Sequence, residues 1–196
     1  MVERALMDAG FYDVVKAYIL YRERHRELRE EKKIEVLKKI EERAFYVIKR
    51  HGDRQVFDER KLKIFFSRSM NGYEGVVDVD ELVAQCKTNI YEGIKTEEIA
   101  KLAVMTVKAL IEQDPNYDTI TSRLFLAALY KEVIGHKYSY NDLEQAYRMA
   151  FIENIRQGIA IGRLSSDLEN FNLDKVAQHL VMARDALLGY RGLQTL

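Results

Sequence analysis

Lys49 and Arg50 are adjacent cations set between a short run of strand formers, Tyr46-Val47-Ile48, and the turn residues His51-Gly52-Asp53. A third cation, Lys61, follows shortly after a return strand, Gln55-Val56-Phe57. Gly52 is free to take the positive φ that a tight hairpin turn requires. Asp58 is a good N-cap for a helix starting at Glu59, which puts Lys61 in its first turn. A cation conflicts there with the positive end of the helix dipole. An anion beside it removes the conflict and uses the free N–H groups as well, so the layout suits a polyphosphate. The same charges also suit an ordinary amphipathic hairpin with solvated Lys and Arg.

The elements that position these residues must be mostly helical. The chain has 196 residues, 47% of them apolar, enough for a sizeable core in one or two domains. A single proline, Pro115, and only 10 glycines leave little room for a many-turned β fold. Lys plus Arg and Asp plus Glu balance at 31 each, so there is no global basic field to attract nucleic acid, and any anion site must be local. Cys86 is the one cysteine, which excludes an intrachain disulfide and a cysteine-based zinc site and suits a reducing compartment. His25, His51, His136 and His179 have no His or Cys partner at ligand spacing, so no metal site is expected. The start is neither a signal nor a transit peptide, and no run approaches the ~20 apolar residues of a spanning helix. A soluble cytoplasmic protein without a membrane partner is expected.

Val14, Val15, Tyr18 and Ile19 follow a helical period after a break at Gly10, so the first segment reads as two helices. From Arg22 to Arg43 the chain is densely charged, with Leu28, Ile34, Leu37 and Ile40 as a narrow stripe that suits a connecting helix. After the hairpin, helices are expected to about Ser69, from Val79 to about Tyr91, from a Thr96 cap through Ile111, and from about Asp118 to Ile134. A second helical region follows, with an N-terminal box at Asn141 and Glu144 and a cap at Asn172. The apolar end after Gly192 is expected to be the cut edge of a larger domain.

The ordered motifs Val47-x-Lys49-Arg50-x-Gly52, Phe57-Asp58-x-x-Lys61 and Tyr91-Glu92-Gly93-Ile94-Lys95-Thr96 resemble the ATP-cone domain of ribonucleotide reductases. Asp114-Pro115-Asn116-Tyr117, Arg123-Leu124 and Leu129-Tyr130-Lys131-Glu132 look like the last helix of that cone. Gly158 to Gly162, Phe171-Asn172-Leu173 and Arg184-Asp185 to Leu196 resemble the helical N-terminal region of the aerobic (class I) large, or alpha, subunit. Val2 to Met7 and Val15 to Arg22 look like the end of another cone.

The resemblance implies a mainly α fold, a β-hairpin cap on a four-helix bundle, followed by the helical start of the reductase body. It divides the chain into the end of a preceding cone at 1–30, a charged helical linker at 31–44, a complete cone at 45–135, and a truncated start of the large-subunit N-terminal domain at 136–196. It assigns Lys49, Arg50, Lys61 and Lys131 to phosphates, cations that would repel one another without a multiply charged ligand between them. Thr96 would offer its hydroxyl and N–H to a phosphate or ribose oxygen. Gln55 and Asp58 fall where the family reads the adenine edge, and Leu62 would pack on the base. For Thr96 and Asp58 helix capping is an equal explanation. Ala100, Ala127 and Ala128 stand where relatives carry larger or imidazole side chains, which implies a looser pocket.

The implied effector is ATP or dATP, with Mg2+ possible on the nucleotide and no protein-bound metal. The implied partners are the rest of the large subunit, the small radical subunit and further copies in a homo-oligomer. The implied role is allosteric control of ribonucleotide reduction. Reduction itself needs a radical cysteine and a cysteine pair that this segment lacks, so the segment alone is expected to be inactive. Two alternatives stay open: a degenerate cone that only contacts a subunit, and a free-standing nucleotide-sensing regulator, for which no paired cysteines exist to build a DNA-reading zinc ribbon.

Overall fold

The computed structural model describes residues 2–42, 44–75, 78–135 and 142–195. The chain is mainly α, with one two-stranded antiparallel sheet among the described residues. It divides into two compact units, Met1–Glu59 with Ala84–Ile99, and Arg60–Val83 with Ala100–Leu196.

The first unit opens with helix α1, Val2–Asp8, packed on α2, Tyr12–Glu41. The two-helix reading at Gly10 agrees with this break, but α2 then continues through the charged stretch without interruption. Its Arg, Lys and Glu residues are good helix formers, so a change in composition does not break the helix. Intrahelical pairs Lys33–Glu30 at 2.8 Å and Lys39–Glu35 at 2.9 Å support it. Val15 is its one buried residue. At its far end Lys39 also reaches Glu92 at 3.0 Å, and bonding to Glu35 and Glu92 pushes its pKa up to about 12.

Strands β1, Tyr46–Ile48, and β2, Arg54–Val56, form the hairpin, with Val47 opposite Gln55. The second strand lies one residue earlier than the sequence pattern placed it. The turn closes through Lys49 N–H to Asp53 O at 2.8 Å and Gly52 N–H to Lys49 O at 2.9 Å. Gly52 sits at φ +90 with open space around its α-carbon. Below the hairpin, fully buried Phe45 meets Phe57 edge to face at 5.8 Å, and Phe57 N–H donates to Phe45 O at 2.9 Å.

Helices α3, Glu59–Ser69, α4, Val79–Lys87, α5, Thr96–Lys108, and α6, Asn116–Val133, follow the hairpin. The amphipathic faces place Leu62, Phe66, Leu82, Val107, Ile120 and Leu124 in the buried core of the second unit. Asp114 Oδ1 accepts the Asn116 N–H at 2.8 Å and starts α6 two residues before the expected Asp118. Asn141 lies outside the described residues, and α7 runs Leu143–Ala160. Asn172 Oδ1 caps α8, Leu173–Gln178, through the Lys175 N–H at 2.9 Å. A 3-10 helix, Met182–Leu187, leads to α9, Tyr190–Thr195, which packs on α6.

Asp185 on the 3-10 helix accepts the Tyr130 hydroxyl at 2.8 Å and faces the Tyr147 hydroxyl at 3.5 Å. Burial, then the Asp185 carboxylate, raises both phenols above their ordinary range. The unfolded chain therefore releases these protons first, so their contribution is complete below about pH 10 and is lost as pH rises beyond it. Urea titrations across that range should show stability falling, and Tyr130→Phe or Tyr147→Phe should flatten the fall. Gly52→Ala forces a β-carbon into the left-handed region and should cost about 1 kcal/mol in the same assay, with no steric clash to enlarge it.

Candidate nucleotide site

The outer edge of β1 is paired with a second piece of chain. Ile48 N–H donates to Ile94 O and Gly93 N–H donates to Tyr46 O, both at 3.0 Å, and Ile48 forms a parallel bridge with Lys95. Gly93 takes φ +79 to make this approach. Because the pairing is parallel, both strands leave it in the same direction. Lys49 and Arg50 on one strand therefore emerge beside Thr96 and Glu97 on the other. Thr96 and Glu97 open α5, so their amides are first-turn donors that no helical carbonyl satisfies.

The arrangement concentrates positive potential from two sources, the side-chain cations and the N-terminal end of a helix. Lys49 is exposed and has no ion pair among the described residues. Arg50 Nε lies 4.0 Å from Glu97 Oε2, with both side chains partly exposed. Glu98 turns back to accept the Lys95 N–H at 3.3 Å and the Tyr91 hydroxyl at 2.8 Å. Glu98 thus closes the start of α5, and Thr96 is its first helical residue rather than a residue preceding it. Its hydroxyl is not committed to a cap.

Gln55 is half-buried across the hairpin from buried Val47. Asp58, also half-buried, directly precedes α3, and Glu59 at the start of that helix is paired with Lys87 at 2.7 Å. The structure therefore brings Lys49, Arg50 and Thr96 to one end of the first unit, with Gln55 and Asp58 further along the same hairpin. Lys61 and Leu62 belong to the second unit, in the first turn of α3, Lys61 exposed and Leu62 only 5% exposed. Lys131 is exposed in the last turn of α6, also in the second unit.

Glu97 is a site neighbour that no local motif of the sequence singles out. Arg54 also lies on this hairpin, its guanidinium stacked 4.8 Å above the Tyr46 ring. No group of His, Cys, Asp or Glu able to hold a metal occurs among the described residues. No described helix is long and apolar enough to cross a membrane.

The ATP cone domain family matches residues 45–132. Over its whole length the chain is 33% identical to the ribonucleoside-diphosphate reductase subunit alpha of Chlamydia trachomatis, covering 19% of that protein. It is 34% identical to the corresponding Chlamydia muridarum subunit, again over the whole chain and 19% of the relative. The Helicobacter pylori subunit alpha is 30% identical over 76% of the chain and 18% of the relative. The chain thus spans about a fifth of the length of these relatives. Residues 45–132 belong to the ATP cone family, within a chain related along its whole length to ribonucleoside-diphosphate reductase alpha subunits.

Proposed function

We propose that the cone binds ATP or dATP and that this chain is the nucleotide-sensing regulatory region of a ribonucleoside-diphosphate reductase large subunit. The observation that carries the reading is the parallel bridge that sets Lys49 and Arg50 beside the first turn of α5. Two adjacent cations and the first-turn amides of a helix are complementary to a phosphate chain and have little use for a neutral ligand. Thr96 supplies a hydroxyl to a phosphate or ribose oxygen. Gln55 offers both donor and acceptor to the adenine edge, and Asp58 accepts from its exocyclic amine. The family resemblance also assigns Lys61 and Lys131 to phosphates and Leu62 to the base; these three residues stand in the second unit, with Leu62 almost wholly within its core. Any Mg2+ arrives with the nucleotide, held by phosphate oxygens.

In this reading the nucleotide favours one assembly state of the large subunit over another and so controls whether the small radical subunit can act on it, in the cytoplasm and within a homo-oligomer. The effect is limited to the difference in nucleotide affinity between the two states, about 1 to 3 kcal/mol. Residues 136–196 form the start of the large-subunit N-terminal domain, residues 31–44 a linker, and residues 1–30 the end of a preceding cone. The apolar surface of α2 supports the last assignment. Tyr12, Leu20 and Tyr21 are 70%, 62% and 61% exposed, an unusual concentration for a helix that faces only water.

Isothermal calorimetry with ATP and dATP tests the site directly. Saturable binding is expected, and Lys49→Ala should weaken it about ten- to a hundredfold, the size of one charge-assisted contact, without changing the circular dichroism spectrum. Absence of heat and of any melting shift at millimolar nucleotide would sink the reading. Glu97→Gln removes the carboxylate that competes with phosphate for Arg50. It should tighten ATP by about two- to fivefold, the scale of one partly exposed ion pair.

A further inference from the structure

The cone match ends at residue 132, yet its last helix is completed by residues beyond it. Three contacts leave α6 for the 185–190 stretch. The Ser122 hydroxyl donates to Leu188 O at 2.8 Å, Phe125 meets Tyr190 edge to face at 5.7 Å, and the Tyr130 hydroxyl donates to Asp185 at 2.8 Å. Tyr147 on α7 completes a clasp, stacking edge to face on Tyr130 at 5.9 Å and reaching the other Asp185 oxygen at 3.5 Å. Helix α5 makes contact as well, with Lys108 Nζ 5.2 Å from the centre of the Tyr190 ring.

We propose that this Tyr130–Asp185–Tyr147 clasp is the contact through which nucleotide occupancy of the cone reaches residues 182–195. The inference rests on the nucleotide reading above, which puts Thr96 at the start of α5 and Lys131 directly after Tyr130. Each of the two helices thus carries one nucleotide residue and one or more contacts to the same short segment. A shift of α6 by a fraction of a turn breaks a hydrogen bond whose donor sits on a half-buried ring stacked edge to face on Tyr147. The receiving 3-10 helix has no buried residue and Leu187 is 81% exposed, and Asp185 is the residue in it that accepts a hydrogen bond from α6. Segments with so few buried contacts open locally at small cost, which makes this one a sensitive reporter of α6.

Amide hydrogen exchange of the 196-residue chain with and without ATP, read beside calorimetry, tests the clasp. ATP should change protection over 182–195 by about threefold or more, a modest coupling. Asp185→Asn should abolish most of that change while ATP affinity stays within about twofold, and Tyr130→Phe should do the same. ATP binding with no exchange response in 182–195, or a full response in Asp185→Asn, overturns the clasp and leaves the nucleotide reading standing. No ATP binding by the unmodified chain overturns the nucleotide reading and the clasp together. The unmodified chain decides the matter even where a variant does not fold.

Discussion

The pairing of β1 with residues 93–95 is the constraint on which the first unit depends. A hairpin of two three-residue strands is marginal in water, with unpaired polar groups on each outer edge. Two backbone hydrogen bonds, Ile48 to Ile94 and Gly93 to Tyr46, cover one of those edges with chain from far along the sequence. The same contact buries Ile94 and Val47, so hydrogen bonding and apolar burial act together. It also decides what can bind. Without the bridge, the hairpin cations and the α5 terminus would be unrelated charges, each screened by salt.

How much of this was legible in sequence follows from how local each feature is. The hairpin, the α3 start and the Asn172 cap depend on residues within a few positions of one another, and the turn, cap and period signals located them. The long α2 was harder, because a shift from apolar to charged residues resembles a boundary although both compositions favour helix. Thr96 looked like a capping residue because it precedes two glutamates. The actual closure comes from Glu98 folding back on Lys95, an effect of where the bridge ends. The approach of Glu97 to Arg50 had no local signal at all, since it follows from pairing between residues 48 and 95.

The second unit shows a complementary strategy. Its core is ordinary apolar packing, with Phe66, Leu82, Ile120 and Leu124 fully or almost fully buried. At its outer side α6 is fastened by polar and aromatic contacts that have strict geometry. Apolar packing tolerates small slides between helices, while a hydroxyl seated on a carboxylate does not. Residues beyond the cone match therefore hold α6 in one register, and two of them, Tyr190 and Leu193, are themselves buried.

The composition of α2 has a mechanical consequence. At 1.5 Å per residue its 30 residues make a rod about 45 Å long, with neighbouring Glu and Lys side chains paired along its charged half and Val36, Leu37 and Ile40 half-buried near its end. Added salt weakens the exposed ion pairs of the charged half, while the apolar Val15 anchor keeps its grip. The charged half of the helix is a strut whose stiffness responds to the surrounding electrolyte.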